Sequence, residues 1–232
     1  MLFRILLRAL VGLSCLNVSA ATLPLTVEKG ERIVILGNGL GERMLYFPHF
    51  ETDLHRQYPN EELIVRNMSI PGNTPGFRPH SSRETQWAFP GAEAFHPGKT
   101  MHTGIGHFPS PDEWLTELKT DTILAFFGYN ESFEGLDRVD NFYNELDAFV
   151  QHTLEQKYNG KSAPRLVLVS PIAYEDLSKQ KDLPDGKAEN IRLAAYADAV
   201  KGVAQARNVG FVDLFEPTRK LYAAEKVPQT IN

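Results

Sequence analysis

The sequence predicts an α/β fold: a three-layer α/β/α sandwich built on a five-stranded parallel sheet. Three observations predict it. Five short apolar runs alternate with helical patterns of roughly ten to twenty residues, the signature of a parallel sheet covered on both faces. One run, Asp121 to Gly128, is almost wholly apolar, as a central strand buried on both sides must be. Hydrophobic content of 42% and charged content of 23% over 232 residues suit one globular domain with a substantial core.

The first twenty residues differ from the rest. Arg4 and Arg8 make a positive start, Ala9 to Leu16 is mostly apolar, and Val18-Ser19-Ala20 offers small residues at a cleavage site. Residues 1–20 therefore read as a secretory signal, and 21–232 as the mature domain. An apolar run of ~8–10 residues is too short to span a bilayer. The expected location is periplasmic or extracellular, with no membrane attachment after cleavage. The single cysteine, Cys15, lies in the signal, so the mature chain holds no disulfide or thiolate site. A net charge of -5 argues against nucleic-acid partners.

The first strand, Ile33 to Leu36, breaks at Gly37-Asn38-Gly39 and passes into a helix over Leu40 to Tyr58, with Phe50, Leu54 and Tyr58 four apart. Ligand sites in such sheets lie beyond the carboxyl ends of strands, so this turn is the first candidate. Leu63-Ile64-Val65 is a second strand, followed by the turn-rich Asn67 to Thr74.

Residues 76–114 carry five of the fifteen prolines and four of the seven histidines, His80, His96, His102 and His107. Their spacing fits no compact metal-ligand pattern, and no metal or cofactor is expected. The stretch reads as a long surface loop, with Trp87, Phe89, Phe95 and Phe108 offering aromatic faces to a ligand.

The third strand ends in Gly128-Tyr129-Asn130-Glu131-Ser132. Asp137 to Tyr158 is the clearest helix, with Val139, Phe142, Tyr143, Leu146, Phe149, Val150 and Leu154 in one stripe. Arg165 to Pro171 is the fourth strand. Ala188 to Arg207 is a helix with Ile191, Ala195, Ala199, Val203 and Ala206 on one face. Val209 to Leu214 is the fifth strand, and Glu216 to Lys226 the last helix.

Three turns carry a resemblance. Gly37-Asn38-Gly39-Leu40 resembles the first signature block of the SGNH (GDSL-type) hydrolases, Gly-Asp-Ser-Leu, whose serine is the nucleophile. Asn67 to Thr74 resembles the second block, whose glycine N–H helps form the oxyanion hole; Gly72 matches it, with Gly76 close by. Gly128-Tyr129-Asn130-Glu131 resembles the third block, Gly-x-Asn-Asp, whose asparagine amide is the other donor. The runs 125–132 and 157–165 also look like the SGNH-like domain of large exported haem-binding CxxCH proteins, although no Cys-x-x-Cys-His exists here. The resemblance implies a flavodoxin-like SGNH fold and an ancestry among esterases of acylated carbohydrates or lipids.

Acyl transfer needs a hydroxyl nucleophile, a histidine base oriented by an acid, and oxyanion donors. Here the serine position is Gly39. The family's Asp-x-x-His block, due after the last helix, is missing, and Asp213 has no histidine three residues on. The domain therefore reads as C-terminally incomplete. Gly39, Gly72 and Asn130 mark the site; Asn38, Asn73, Tyr129 and Glu131 beside them are candidate ligand contacts.

Three readings stand open. The chain is an impaired esterase relative that still binds an acyl ester or acylated carbohydrate. Alternatively it is an active esterase with a different nucleophile, Ser132 before Ser69 or Ser170, and His102 or His107 as base. Or it is a non-enzymatic module of an exported redox protein. Without a closing helix, Val209 and Phe211 are expected to be exposed and to drive self-association.

Overall fold

The computed structural model describes residues 26–99, 106–225 and 227–230. The proposed signal with Cys15, and His102, lie outside the described residues.

Five strands form one parallel sheet: β1 (Arg32–Gly37), β2 (Ile64–Asn67), β3 (Thr122–Phe126), β4 (Arg165–Val169) and β5 (Gly210–Val212). Their order is β2-β1-β3-β4-β5. The chain moves outward one way from β1 to β2 and the other way from β3 onward. The switch point lies between β1 and β3, where open sheets leave a crevice at their carboxyl edge.

Strand alternation sorts the apolar side chains into two cores. Val34, Leu36, Ile123, Ala125, Leu166 and Leu168 face one side. They pack under α3 (Pro111–Glu117), α4 (Val139–Glu155) and α5 (Lys187–Arg207). Ile33, Ile35, Leu124, Phe126 and Val169 face the other side. They meet Leu40 of α1 (Gly39–Arg43) and Leu54 of α2 (His49–Gln57). Helix α6 (Phe215–Ala224) adds Phe215 to a third cluster with Ala173, Leu193 and Ala197. The three-layer sandwich is as the alternating pattern predicts.

Several elements depart from the sequence reading. The helix expected over Leu40 to Tyr58 is two helices. Pro48 has no N–H to continue the ladder, and the chain turns there, leaving Leu45, Tyr46 and Phe47 exposed. Helix α5 buries Leu193, Tyr196 and Val200 together with Ala199 and Val203 of the predicted face, while Ile191 of that face is 62% exposed. Alanine on every side gives that helix little apolar contrast, so its orientation is set by Tyr196 and the valines.

The described parts of the 76–114 stretch are not a loose cover. Phe89 is buried, and Trp87 and Phe95 pack against the α4-side core. Phe108 stacks on His80, with ring centroids 3.5 Å apart. Glu145 of α4 anchors the stretch from beneath. Its Oε1 accepts hydrogen bonds from Thr74 Oγ1 (2.8 Å) and the Gly76 N–H (2.7 Å), and faces His96 Nε2 (2.8 Å). The aromatic faces therefore serve the core. Within this stretch Ser110 and Glu113 form a capping box that starts α3.

At the sheet's other edge, Val209 and Phe211 pack against the core, and Val212 is exposed instead, at 42%. Phe211 points inward because alternation along β5 gives it the α5 side.

One residue fixes how closely β1 and β3 meet. Gly37 has φ +146°, and a Cβ there would lie 2.3 Å from the Phe126 carbonyl oxygen. Gly37→Ala is expected to cost about 2–4 kcal/mol, through strain and a backbone clash. Urea unfolding of the variant measures it; a loss under about 0.5 kcal/mol would contradict this account of the turn.

Candidate functional site

Beyond Gly37 the chain turns through Asn38 and enters α1 at Gly39. The Asn38 N–H donates to the Phe126 carbonyl (3.1 Å), which closes the turn onto β3. The Asn38 side chain is 1% exposed. Its Nδ2 donates to Glu131 Oε2 (3.2 Å) and lies 3.5 Å from the Asn73 carbonyl. Asn67, at the end of β2, donates its Nδ2 to the Gly41 carbonyl (2.6 Å) and holds α1 from the other side.

The second turn follows β2. The Ile70 N–H donates to the Gly37 carbonyl (3.1 Å), and Asn73 N–H closes a turn on the Ile70 carbonyl (3.0 Å). Gly72 stands exposed at the tip. Asn130, from the third turn, leans across to this loop. Its Nδ2 donates to the Pro71 carbonyl and to the Asn73 carbonyl (3.3 Å). An asparagine amide has two N–H donors, and here both meet the protein's own carbonyls.

Glu131 is 5% exposed. Its Oε2 accepts from the Gly128 N–H (2.7 Å) and from Asn38, while Oε1 has no partner among the described residues. Burial, reinforced by the nearby Glu145 carboxylate, pushes this carboxyl up to about 8; the Gly128 and Asn38 donors offset only part of that. Asn73 Oδ1 and Ser69 Oγ are likewise buried without partners among the described residues.

A pocket of about 250 Å³ opens at the carboxyl ends of β1, β3 and β4. Asn38, Gly39, Leu40 and Arg43 form one wall, Phe126, Phe127 and Tyr129 the second, and Ser170, Pro171 and Ile172 the third. A Cβ built at Gly39 meets nothing within 4 Å, so position 39 faces open space. The only hydroxyls in the lining are those of Tyr129 and Ser170. Burial raises the Tyr129 phenol above its ordinary value, so it stays neutral. Ser170 Oγ accepts from the Leu214 N–H (2.8 Å) and the Phe215 N–H (3.2 Å), and donates to the Pro171 carbonyl (3.1 Å). It caps α6. The lining, among the described residues, contains no histidine and no carboxylate.

The predicted site residues thus separate into two groups. Gly39, Tyr129 and Asn38 line the pocket. Gly72 and Asn130 lie outside its lining, so the expected oxyanion donors do not converge on it. Asn73 and Glu131, expected at a ligand, are buried and act as struts between turns. Ser132 is buried in a 3-10 turn (Glu131–Glu134) and donates to the Tyr129 carbonyl (2.7 Å), which turns its hydroxyl away from attack. His107 is exposed and faces Glu113 at 3.9 Å. Ser69 Oγ is wedged against Gly41. Asp213 accepts from the Phe215 N–H (2.9 Å) and the Glu216 N–H (3.3 Å) at the start of α6. Ser170 is among the candidate serines, but Arg43, Pro171 and Ile172 do not read as site residues: an arginine ending a short helix and an apolar turn carry no chemical signature in sequence.

No protein-family model matches the chain, and no curated protein matches it in sequence. Solved structures do. The acetylxylan esterase Axe2 from Geobacillus stearothermophilus is similar with a TM-score of 0.56 at 16% identity, over 87% of this chain and 84% of that one. A protein named as a GDSL-like lipase from Parabacteroides merdae gives 0.54 at 16% identity, over 84% of each chain. One named as an arylesterase from Agrobacterium tumefaciens gives 0.50 at 14% identity, over 79% and 83%. At such identities the likeness shows a shared fold, and that fold is the SGNH (GDSL-like) hydrolase sandwich.

The buried Glu131 carboxyl makes stability depend on pH. Its folded value, about 8, lies above its ordinary 4.5, so the folded state binds the proton more tightly. The contribution is most favourable below pH 4.5 and is lost as pH rises to 8. Glu131→Gln keeps the neutral form at every pH. The variant is expected to match wild type in urea unfolding at pH 4.5 and exceed it at pH 8 by a few kcal/mol, on the order of the linkage integral. Parallel pH profiles for the two would contradict the assignment.

Proposed function

We propose that this chain is a hydrolase-fold binding protein of ester-hydrolase ancestry, which holds a small acyl or acylated-carbohydrate ligand at the Gly39 pocket without cleaving it. The observation that carries the reading is Gly39 itself, a position with open space before it and no hydroxyl to fill that space. Losing a triad nucleophile costs on the order of 10⁶ in turnover. Oxyanion donors and binding sustain a residual ~10³–10⁴ over water in such sites. Here even that residue is reduced, because the Asn130 amide is spent on the Pro71 and Asn73 carbonyls.

The ligand class rests on two supports. The structural neighbour Axe2 is an acetylxylan esterase. The pocket, at about 250 Å³, lies at the lower end of the ~300–1,000 Å³ range of small-molecule sites and suits an acyl group with little else.

Equilibrium binding and acetate release with an acetylated xylo-oligosaccharide test the reading together. Saturable binding without release above background is expected, and Gly39→Trp, which fills the open space, should abolish binding while leaving the fold intact. Acetate release at even ~1 s⁻¹, an ordinary enzymatic rate, would overturn it.

A further inference from the structure

Arg43 is, among the described residues, the one charged side chain in a mostly apolar pocket lining. It closes α1 at the mouth, on the same wall as Gly39. Its side chain is 65% exposed, and its paired carboxylate, Glu42, stands 4.0 Å from Nε. A pair at that distance, with its guanidinium largely in solvent, holds the guanidinium only weakly. Two other polar side chains of the lining are committed: Asn38 to Glu131 and Asn73, Ser170 to the start of α6; the neutral Tyr129 hydroxyl carries no charge to offer an anion. Leu40, Phe126, Phe127, Pro171 and Ile172 supply the apolar body of the cavity.

We infer that the pocket prefers an organic acid to a neutral ester: a free carboxylate paired with Arg43 at the mouth, and its short aliphatic tail among Leu40, Phe126 and Ile172. This deepens the binding reading above and rests on it. Two pocket properties select this ligand. A guanidinium recognises a carboxylate through paired, charge-assisted hydrogen bonds, which an ester oxygen returns poorly. The cavity volume leaves room for a short chain and not for a long lipid. No carboxylate lines the cavity among the described residues to repel the anion. The ligand is then chemically the product of ester cleavage, so a separate esterase reaction must supply it.

NMR titration of the isotope-labelled protein with hexanoate and with methyl hexanoate tests this, reading the Gly39 and Leu40 amide signals. Hexanoate is expected to bind about tenfold tighter than the ester, the scale of one partly exposed charge-assisted contact. Added salt should erode that preference. Arg43→Gln should erase it by weakening hexanoate binding to the level of the ester. Equal affinities in wild type, or a preference that survives in Arg43→Gln, would overturn the acid inference while the pocket reading stands. Absence of any shift at Gly39 with either ligand would overturn both.

Discussion

Three strand ends meet on the side chain of Asn38, and the architecture of the site depends on that junction. The turn after β1 closes on the Phe126 carbonyl because Gly37 permits an approach no side chain would allow. Asn38 then reaches the second turn through the Asn73 carbonyl and the third through Glu131. Asn130 adds a parallel tie from the third turn to the second. Each such bond is modest in net energy, yet losing one strands a buried partner at ~1–3 kcal/mol. The turns therefore hold one arrangement. Glu131 is part of that arrangement because it is neutral: a buried carboxyl kept protonated near pH 7 avoids a second negative charge beside Glu145.

That rigidity has a chemical consequence. Polar groups that in an acyl-transfer site would point at a substrate here point at one another. Asn130 satisfies loop carbonyls, Ser132 satisfies Tyr129, and Ser170 satisfies the first N–H groups of α6. What remains open to a ligand is an apolar cavity with a single cation at its rim. On the proposal above, such a cavity holds a ligand without a serine hydroxyl free to attack it. The electrostatic preorganisation that makes such sites fast needs donors aimed at the developing charge, and the Asn38, Asn130, Ser132 and Ser170 donors are aimed at the protein's own groups instead.

Much of the fold was legible in the sequence. Strands buried on both faces read as unbroken apolar runs, and the α4 stripe from Phe142 to Val150 names its own buried face. Legibility failed where contrast was low or contacts were distant. Alanine-rich α5 hid its orientation, so Ile191 read as core. Pro48 was readable as a break and was overlooked under a four-residue repeat. The Ser110–Glu113 capping box was likewise readable, though it sat inside a stretch that looked irregular throughout. Gly37-Asn38-Gly39 and Gly128-Tyr129-Asn130 mark the turns at the carboxyl ends of β1 and β3. Their division of labour was not legible, because Asn38 and Glu131 are 93 residues apart in sequence and Asn130 and Pro71 are 59 apart. Only the closed fold shows that both amides serve the chain.

The central claim is that a ligand cavity persists where no activated serine exists. Incubation with a fluorophosphonate serine probe, followed by intact-protein mass measurement, tests it most directly. The account predicts unmodified protein after prolonged exposure. Stoichiometric attachment of the probe to one serine would contradict it.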